Sequence, residues 1–135
     1  MVGILVVSHG KLAEGVVDAM SMIIGKQEQL AYLSLGPRDS IEFLTSKVVK
    51  KARKLNDGSG VLVLTDLFGA SPFNAGGMAT QSCDFPMDIV TGFNLGMVME
   101  CAMGREDKGL SEVAALAKSS GLESIKRLSE EMDLS

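Results

Sequence analysis

The 135-residue sequence has no tryptophan, only 4% aromatic residues, two cysteines and a single histidine. So few aromatic side chains leave little material for the stacking platforms on which unpaired nucleic acid bases are bound. The net charge of −4 at pH 7 also lacks the basic excess that is typical of nucleic-acid-binding domains. We therefore predict no nucleic-acid partner.

Long apolar runs and targeting segments are also missing. No hydrophobic stretch approaches the roughly 20 residues that a membrane-spanning helix needs, and residues 1–7 lack the basic start of a signal peptide. Cys83 and Cys101 show neither metal-ligand spacing nor a disulfide framework, so we expect two reduced cysteines. The sequence predicts a cytoplasmic protein that forms one domain over residues 1–135.

Apolar runs and amphipathic stretches alternate along the chain. The runs at 3–8, 30–35, 61–64 and 86–91 are typical of strands, and helical periodicity follows each of them. We expect Asp39 to cap the second helix and Ser71, followed by proline, to cap the third. Strands that alternate with helices pair in parallel through right-handed crossovers. The commonest arrangement of a small domain of this kind is a doubly wound α/β sheet of order 2-1-3-4 with helices on both faces, and this is the predicted fold.

Two polar residues lie where predicted strands end. His9 follows the first strand and Asp66 follows the third. In a sheet of order 2-1-3-4 the winding reverses between strands 1 and 3, so both residues border the crevice where ligands bind. A carboxylate that accepts a hydrogen bond from one imidazole nitrogen fixes the tautomer and leaves the other nitrogen free as a nucleophile. We predict that His9 is this nucleophile and that Asp66 orients it.

The predicted start of the third helix adds an anion site. Unpaired backbone N–H groups and the helix dipole at Ser71 favour negative charge, and Gly69 and Ala70 are small enough to let an anion approach the backbone. Together these features predict transient phosphorylation of His9. Simpler interpretations stay open, because strand ends are commonly polar, aspartate commonly caps turns, and a Ser-Pro pair begins a helix with or without a ligand.

Two segments carry a family resemblance: Val7-Ser8-His9-Gly10 and the run Thr-Asp-Leu-Phe-Gly-Ala-Ser-Pro-Phe-Asn at 65–74. They resemble the IIA domain of the mannose-type sugar phosphotransferase system. The resemblance implies that His9 accepts a phosphoryl group from the histidine-containing phosphocarrier protein and passes it to a IIB component. It also implies that Asp66 orients His9 and that a loop surrounds the phosphoryl group, formed by Phe68, Gly69, Ala70 and Ser71. No metal or other cofactor is expected.

The resemblance further implies a homodimer in which a C-terminal strand, at about residues 122–128, is exchanged between subunits. The residue pattern of 124–132 alone favours a helix, and here the expectation follows the resemblance. Because no Ala/Pro-rich linker precedes Ser135, we expect IIB on a separate polypeptide and only indirect association with membrane IIC and IID components. Phe68, Met97 and Met99 are candidate partner-docking residues, although a hydrophobic lid explains Phe68 equally well and core packing explains the methionines better.

The strongest alternative is a small tetrapyrrole metal chelatase with His9 as the metal ligand. Such a site usually needs a second histidine or an acidic ligand, and this sequence has no second histidine. A purely regulatory protein that keeps the phosphorylated histidine as a signal is also compatible with the motifs. The residues do not identify the sugar, because a IIA domain need not contact it.

Overall fold

A computed structural model describes residues 1–132 and contains the predicted sheet. Its four strands are β1 (Gly3–His9), β2 (Leu30–Leu35), β3 (Val61–Thr65) and β4 (Met87–Thr91). All neighbours pair in parallel, and the order is β2-β1-β3-β4. The prediction of a doubly wound α/β sheet of order 2-1-3-4 is confirmed.

Helices cover both faces of the sheet because alternate strand residues point to opposite sides. Ile4 and Val6 pack with the helices at 12–24, 95–104 and 110–123, whereas Leu5 and Val7 pack with those at 41–55 and 71–82. No helix of the described residues is long and apolar enough to cross a membrane. In the described part of the chain the helices are α1 (Leu12–Ile24), α2 (Ile41–Leu55), α3 (Ser71–Ser82), α4 (Leu95–Gly104), α5 (Leu110–Glu123) and α6 (Leu128–Met132).

Two predicted helix caps are wrong by one residue. Ser40, not Asp39, caps α2, because its Oγ accepts a hydrogen bond from the Phe43 N–H at 3.1 Å. Asp39 closes the preceding turn by accepting a bond from the Gly36 N–H. The cap of α3 is Ala70, and Ser71 is the first helical residue. A pattern of short polar residues locates a helix start, but the backbone decides which residue stays extended.

The strand predicted at about residues 122–128 is wrong for this chain as the structure describes it. Helix α5 continues to Glu123 and α6 begins at Leu128. The helix that the residue pattern favoured over 124–132 is present only from Leu128 to Met132, and residues 125–127 are neither helix nor strand. Exchange between two subunits concerns a second chain, and it stays a prediction.

A buried arginine holds together the end of the sheet at which the strands begin, opposite the end where His9 lies. Arg105, directly after α4, is 1% exposed. Its guanidinium donates hydrogen bonds to the carbonyls of Val2, at 3.0 Å, and Gln29, at 2.8 Å, and also to that of Glu28. These carbonyls lie just before β1 and β2, so one side chain fixes the start of both strands. Strand β1, which ends at His9, is thereby anchored at its other end.

Candidate functional site

The site is built around a contact between the ends of two neighbouring strands. His9 is the last residue of β1, and Asp66 directly follows β3. The Nδ1 atom of His9 lies 2.8 Å from Oδ2 of Asp66, and the same oxygen accepts a bond from the His9 backbone N–H at 3.0 Å. The structure thus brings together the two residues that the sequence placed at one crevice.

This geometry determines which ring nitrogen of His9 is free. An ionised carboxylate only accepts hydrogen bonds, so Nδ1 carries the proton and Nε2 keeps its lone pair in the neutral ring. The His9 side chain is 48% exposed, whereas that of Asp66 is 11% exposed. The ring is therefore open to a partner, while the carboxylate that orients it is shielded from water.

The Asp66 carboxylate stays ionised in spite of its partial burial. Burial acts to raise the pKa of Asp66. The hydrogen bonds from the backbone and ring of His9, the charge of that ring and the Asp66 amide together outweigh burial and hold the pKa below its ordinary 3.8. The second oxygen, Oδ1, accepts a bond from the Leu67 N–H at 3.0 Å. Asp66 therefore remains a negatively charged acceptor for His9 at neutral pH.

Ser8 is a positioning residue to which the sequence analysis gave no role. Its buried Oγ donates to the His9 carbonyl at 3.0 Å and accepts from the Ala13 N–H at 2.7 Å. Lys11, the cap of α1, makes no side-chain cap bond, so Ser8 supplies one. His9 is thus held by Asp66 at its amide and by Ser8 at its carbonyl. A hydroxyl at an inward-facing strand position was the signal available in the sequence.

The loop after Asp66 presents several unused backbone donors. Gly69 has a φ of 79°, a left-handed conformation that favours glycine, and its carbonyl accepts a bond from Asn74 Nδ2 at 3.1 Å. Asn74 therefore shapes this loop, a role that the sequence motif alone did not show. Within residues 1–132, no hydrogen-bond acceptor receives the backbone N–H groups of the predicted phosphate-binding residues, Phe68, Gly69, Ala70 and Ser71.

The three predicted docking residues have different surroundings. Phe68 is 79% exposed, and its ring contacts that of Phe73 with centroids 4.7 Å apart. Met97 is only 4% exposed and belongs to the core between the sheet and α4, and half-buried Met99 packs against the same core. The docking assignment of Met97 is therefore corrected, because its side chain fills the core, whereas that of half-buried Met99 stays a prediction. Phe68 stays available to a partner.

Taken together, the fold and site define a class: an α/β protein with an exposed histidine beside a helix start whose backbone can bind an anion. The sequence matches the model of the family described as "PTS system fructose IIA component" over residues 3–118. This match covers most of the chain. The protein therefore belongs to the family of IIA components of the sugar phosphotransferase system (PTS).

Two relatives support this membership. The PTS system mannose-specific EIIAB component of Escherichia coli (strain K12) is 32% identical over 128 residues, covering 94% of this chain and 39% of the relative. The PTS system fructose-specific EIIA component of Bacillus subtilis is 25% identical over 133 residues, covering 98% of this chain and 90% of the relative. The chain thus spans about two fifths of the length of the mannose-specific relative.

A solved structure gives the same assignment. The phosphotransferase system component EIIA from Streptococcus agalactiae superposes with a TM-score of 0.88 at 26% identity, covering 96% of this chain and 99% of that one. Family membership makes the protein a sugar phosphotransferase system component, and the chelatase alternative is not favoured. In addition, the described residues contain no group of three or more metal-ligating side chains.

We predict that Asp66 makes the folded state sensitive to acid. Because its folded pKa lies below the ordinary 3.8, its stabilising contribution is complete above about pH 4 and disappears as the pH falls through the folded pKa. Asp66→Asn should lower the free energy of unfolding by roughly 1–2 kcal/mol at neutral pH, and this difference should shrink towards pH 2. Urea unfolding of both proteins across this range measures the effect.

The matched control is Asp18→Asn, an exposed carboxylate whose side chain makes no hydrogen bond within the described residues. Its unfolding free energy should follow the wild-type curve at every pH. An Asp66→Asn protein with the same acid dependence as the wild type would contradict the role given to this carboxylate.

Proposed function

We propose that the protein is a phosphocarrier. In this function His9 accepts a phosphoryl group from the histidine-containing phosphocarrier protein and passes it to a IIB component during sugar uptake. The observation that supports the proposal best is the hydrogen bond from His9 Nδ1 to Asp66, which leaves Nε2 on an exposed ring. Membership in the IIA family supports the same role.

The transfer needs Nε2 of His9 as the nucleophile and a proton that stays on Nδ1. The Nε2 lone pair attacks the phosphorus of the donor phosphohistidine, the Nε2–P bond forms, and the donor P–N bond breaks with its electron pair going to the donor nitrogen. The proton on Nδ1 stays in place, since the adjacent Asp66 carboxylate stabilises the positive charge that develops on the ring. Transfer to the IIB component reverses these events with the acceptor histidine as nucleophile.

The loop and the start of α3 stabilise the phosphoryl oxygens in this mechanism. The unused N–H groups of residues 68–71 are donors of the kind that bind phosphates, and the dipole of α3 adds positive potential. Ser71, as the first residue of α3, adds a hydroxyl donor. Rate acceleration then comes from positioning and from backbone donors. We accordingly propose no metal or cofactor.

Phosphoryl acceptance should depend on these side chains to different degrees. We predict that His9→Ala abolishes acceptance and that Asp66→Asn slows it about 100-fold, because the ring loses its charged acceptor. Ser8→Ala should slow transfer about tenfold by loosening the His9 backbone, and Ser8→Thr should restore it, since threonine keeps the hydroxyl. Rapid-quench measurement of acid-labile phosphate taken from the phosphorylated carrier gives these rates.

Ser46→Ala removes an exposed hydroxyl on α2 and should transfer at the wild-type rate, which makes it the control for Ser8→Ala. A His9→Ala protein that still takes up acid-labile phosphate would end the proposal. Ser8→Ala with normal transfer but reduced stability would make Ser8 a purely structural residue.

Phe68 is proposed as a docking contact because its exposed ring lies two residues after Asp66. We predict that Phe68→Ala weakens binding of the phosphocarrier protein or of the IIB component by about tenfold, as expected for a truncated aromatic anchor. Titration calorimetry with each partner measures this. Met78→Ala, which removes an exposed apolar side chain on α3, should bind normally. Unchanged affinity of Phe68→Ala for both partners would remove it from the interface.

We further propose a cytoplasmic homodimer that reaches the membrane IIC and IID components only through IIB. Exposed apolar side chains at the C-terminal end of the described chain, Leu122, Ile125 and Leu128, support a buried contact there. Ile125→Asp should therefore shift the protein to a monomer in sedimentation experiments, whereas Lys126→Asp, at an exposed neighbouring position, should not. A wild-type monomer at micromolar concentration would contradict this part of the proposal.

A further inference from the structure

Strand β2 is an open edge of the sheet. It pairs with β1, and no strand lies on its other side in the part of the chain that the structure describes. Charged residues, proline and bulges commonly protect such edges from strand addition. The six residues of β2, Leu-Ala-Tyr-Leu-Ser-Leu, include no charge, no proline and no residue with positive φ. The strand itself therefore does not block the addition of another strand.

The backbone of β2 offers hydrogen-bonding groups along this edge. The Ile4 N–H donates to the Gln29 carbonyl, and the Gly10 N–H donates to the Leu35 carbonyl. Gln29 and Leu35 thus direct their carbonyls towards β1. Because the direction alternates from residue to residue, Leu30, Tyr32 and Ser34 direct their N–H and C=O groups away from β1. An extended polypeptide beside β2 can pair with all three.

Positive charge lines the same edge. Lys47, Lys50, Lys51 and Lys54, here called the lysine stripe, occupy one face of α2 at spacings of three and four residues. They enclose a cavity of about 240 Å³ together with Leu33 of β2. A second cavity, of about 440 Å³, reaches from Lys51 across the edge to Lys26, Ala31 and Tyr32. The cations are thus next to the open strand.

The fold does not compensate this charge. A helix dipole favours cations only within the last turn, which accounts for Arg53 and Lys54 but not for the earlier lysines. Like charges three and four residues apart destabilise a helix. Within residues 1–132, no carboxylate forms an ion pair with any lysine of the stripe. Lys47 lies over the Phe43 ring, 5.0 Å from its centroid, but no carboxylate of residues 1–132 neutralises the charge of the stripe.

We propose that the β2 edge and the lysine stripe bind an extended acidic segment of a partner protein. The segment is added as a strand next to β2, and its acidic side chains occupy alternate positions on the α2 side. From Lys47 to Lys54 the stripe is about 10 Å long, since a helix rises about 1.5 Å per residue. Alternate residues of a strand lie about 6.7 Å apart. Two or three acidic residues at alternate positions therefore match the stripe.

Two other occupants fit this surface less well. In a two-fold pairing of β2 with β2 from a second copy, the two lysine stripes come to the same side of the interface and repel each other. Anionic lipid headgroups neutralise lysines but leave the outward backbone groups of β2 without a strand partner. An acidic extended segment satisfies both the backbone and the charge.

The test uses the full chain and a synthetic peptide of alternating glutamate and threonine as probe. We expect saturable amide shifts and slowed amide exchange at Leu30, Tyr32 and Ser34 in NMR spectra at low ionic strength. A peptide with glutamine in place of glutamate should bind about tenfold more weakly, because several exposed ion pairs are lost. A glutamate peptide that is N-methylated at alternate residues should lose binding altogether, because it cannot complete the strand pairing.

A charge-neutralised variant separates this surface from general electrostatic attraction. K47Q/K50Q/K51Q/K54Q should reduce peptide affinity about tenfold, and the control K108Q/K118Q/K126Q/R127Q, with four cations removed elsewhere, should not. Absence of peptide binding at millimolar concentration, or equal binding of the N-methylated peptide, overturns the proposal. So does association with phosphatidylglycerol vesicles without peptide binding, or self-association of the wild type through β2. None of these outcomes depends on phosphorylation of His9.

Discussion

The double hydrogen bond from His9 to one carboxylate oxygen of Asp66 is the interaction on which the rest of the site depends. One bond comes from the ring and the other from the backbone of the same residue. Asp66 therefore fixes both where β1 ends and how the imidazole is turned. A carboxylate that contacted only the ring would leave the backbone free to rotate the ring away from a partner. The adjacency of β1 and β3 in the sheet order makes this arrangement possible.

The two ends of the sheet differ: the strands are held firmly where they begin, and the polar residues of the site lie where they end. At the end where the strands begin, Arg105 donates hydrogen bonds to three carbonyls beside the starts of β1 and β2, so these strands begin in fixed positions. The apolar middle of β1 and β3 is fully buried between two helix layers. At the end where the strands finish, polar groups project from the sheet and have few hydrogen-bond partners among the described residues. The buried core thus gives the His9–Asp66 pair the fixed position that the proposed transfer between two proteins requires.

Features that depend on burial could be predicted from the sequence, and features that depend on local backbone geometry could not. Strands β1 and β3 are apolar because both faces are covered, so their positions in the sequence could be predicted, and the common order of such sheets then placed His9 next to Asp66. The cap of α2 was misplaced because Asp39 and Ser40 are both short polar residues that can cap a helix, and only the folded chain shows that Asp39 bonds to Gly36 while Ser40 caps α2. Ser8 and Asn74 bond to backbone groups that become neighbours only in the folded chain. The resemblance also predicted a C-terminal strand that the local pattern did not favour.

The β2 edge with its lysine stripe and the exposed ring of His9 are separate surfaces of the protein. Helix α2 runs back from the end of the sheet where His9 lies. Its last residue, Leu55, contacts Gly3 and accepts a hydrogen bond from Gln29 at the end where the strands begin. Three of the four lysines of the stripe, Lys50, Lys51 and Lys54, lie in the second half of α2, so most of its charge lies towards the end of the sheet at which the strands begin. A segment bound along β2 therefore leaves the exposed ring of His9 uncovered. Because the stripe and the ring share no residue, the proposed acidic segment at β2 and a partner at His9 can bind at the same time, and a partner that carries both elements gains from the raised local concentration.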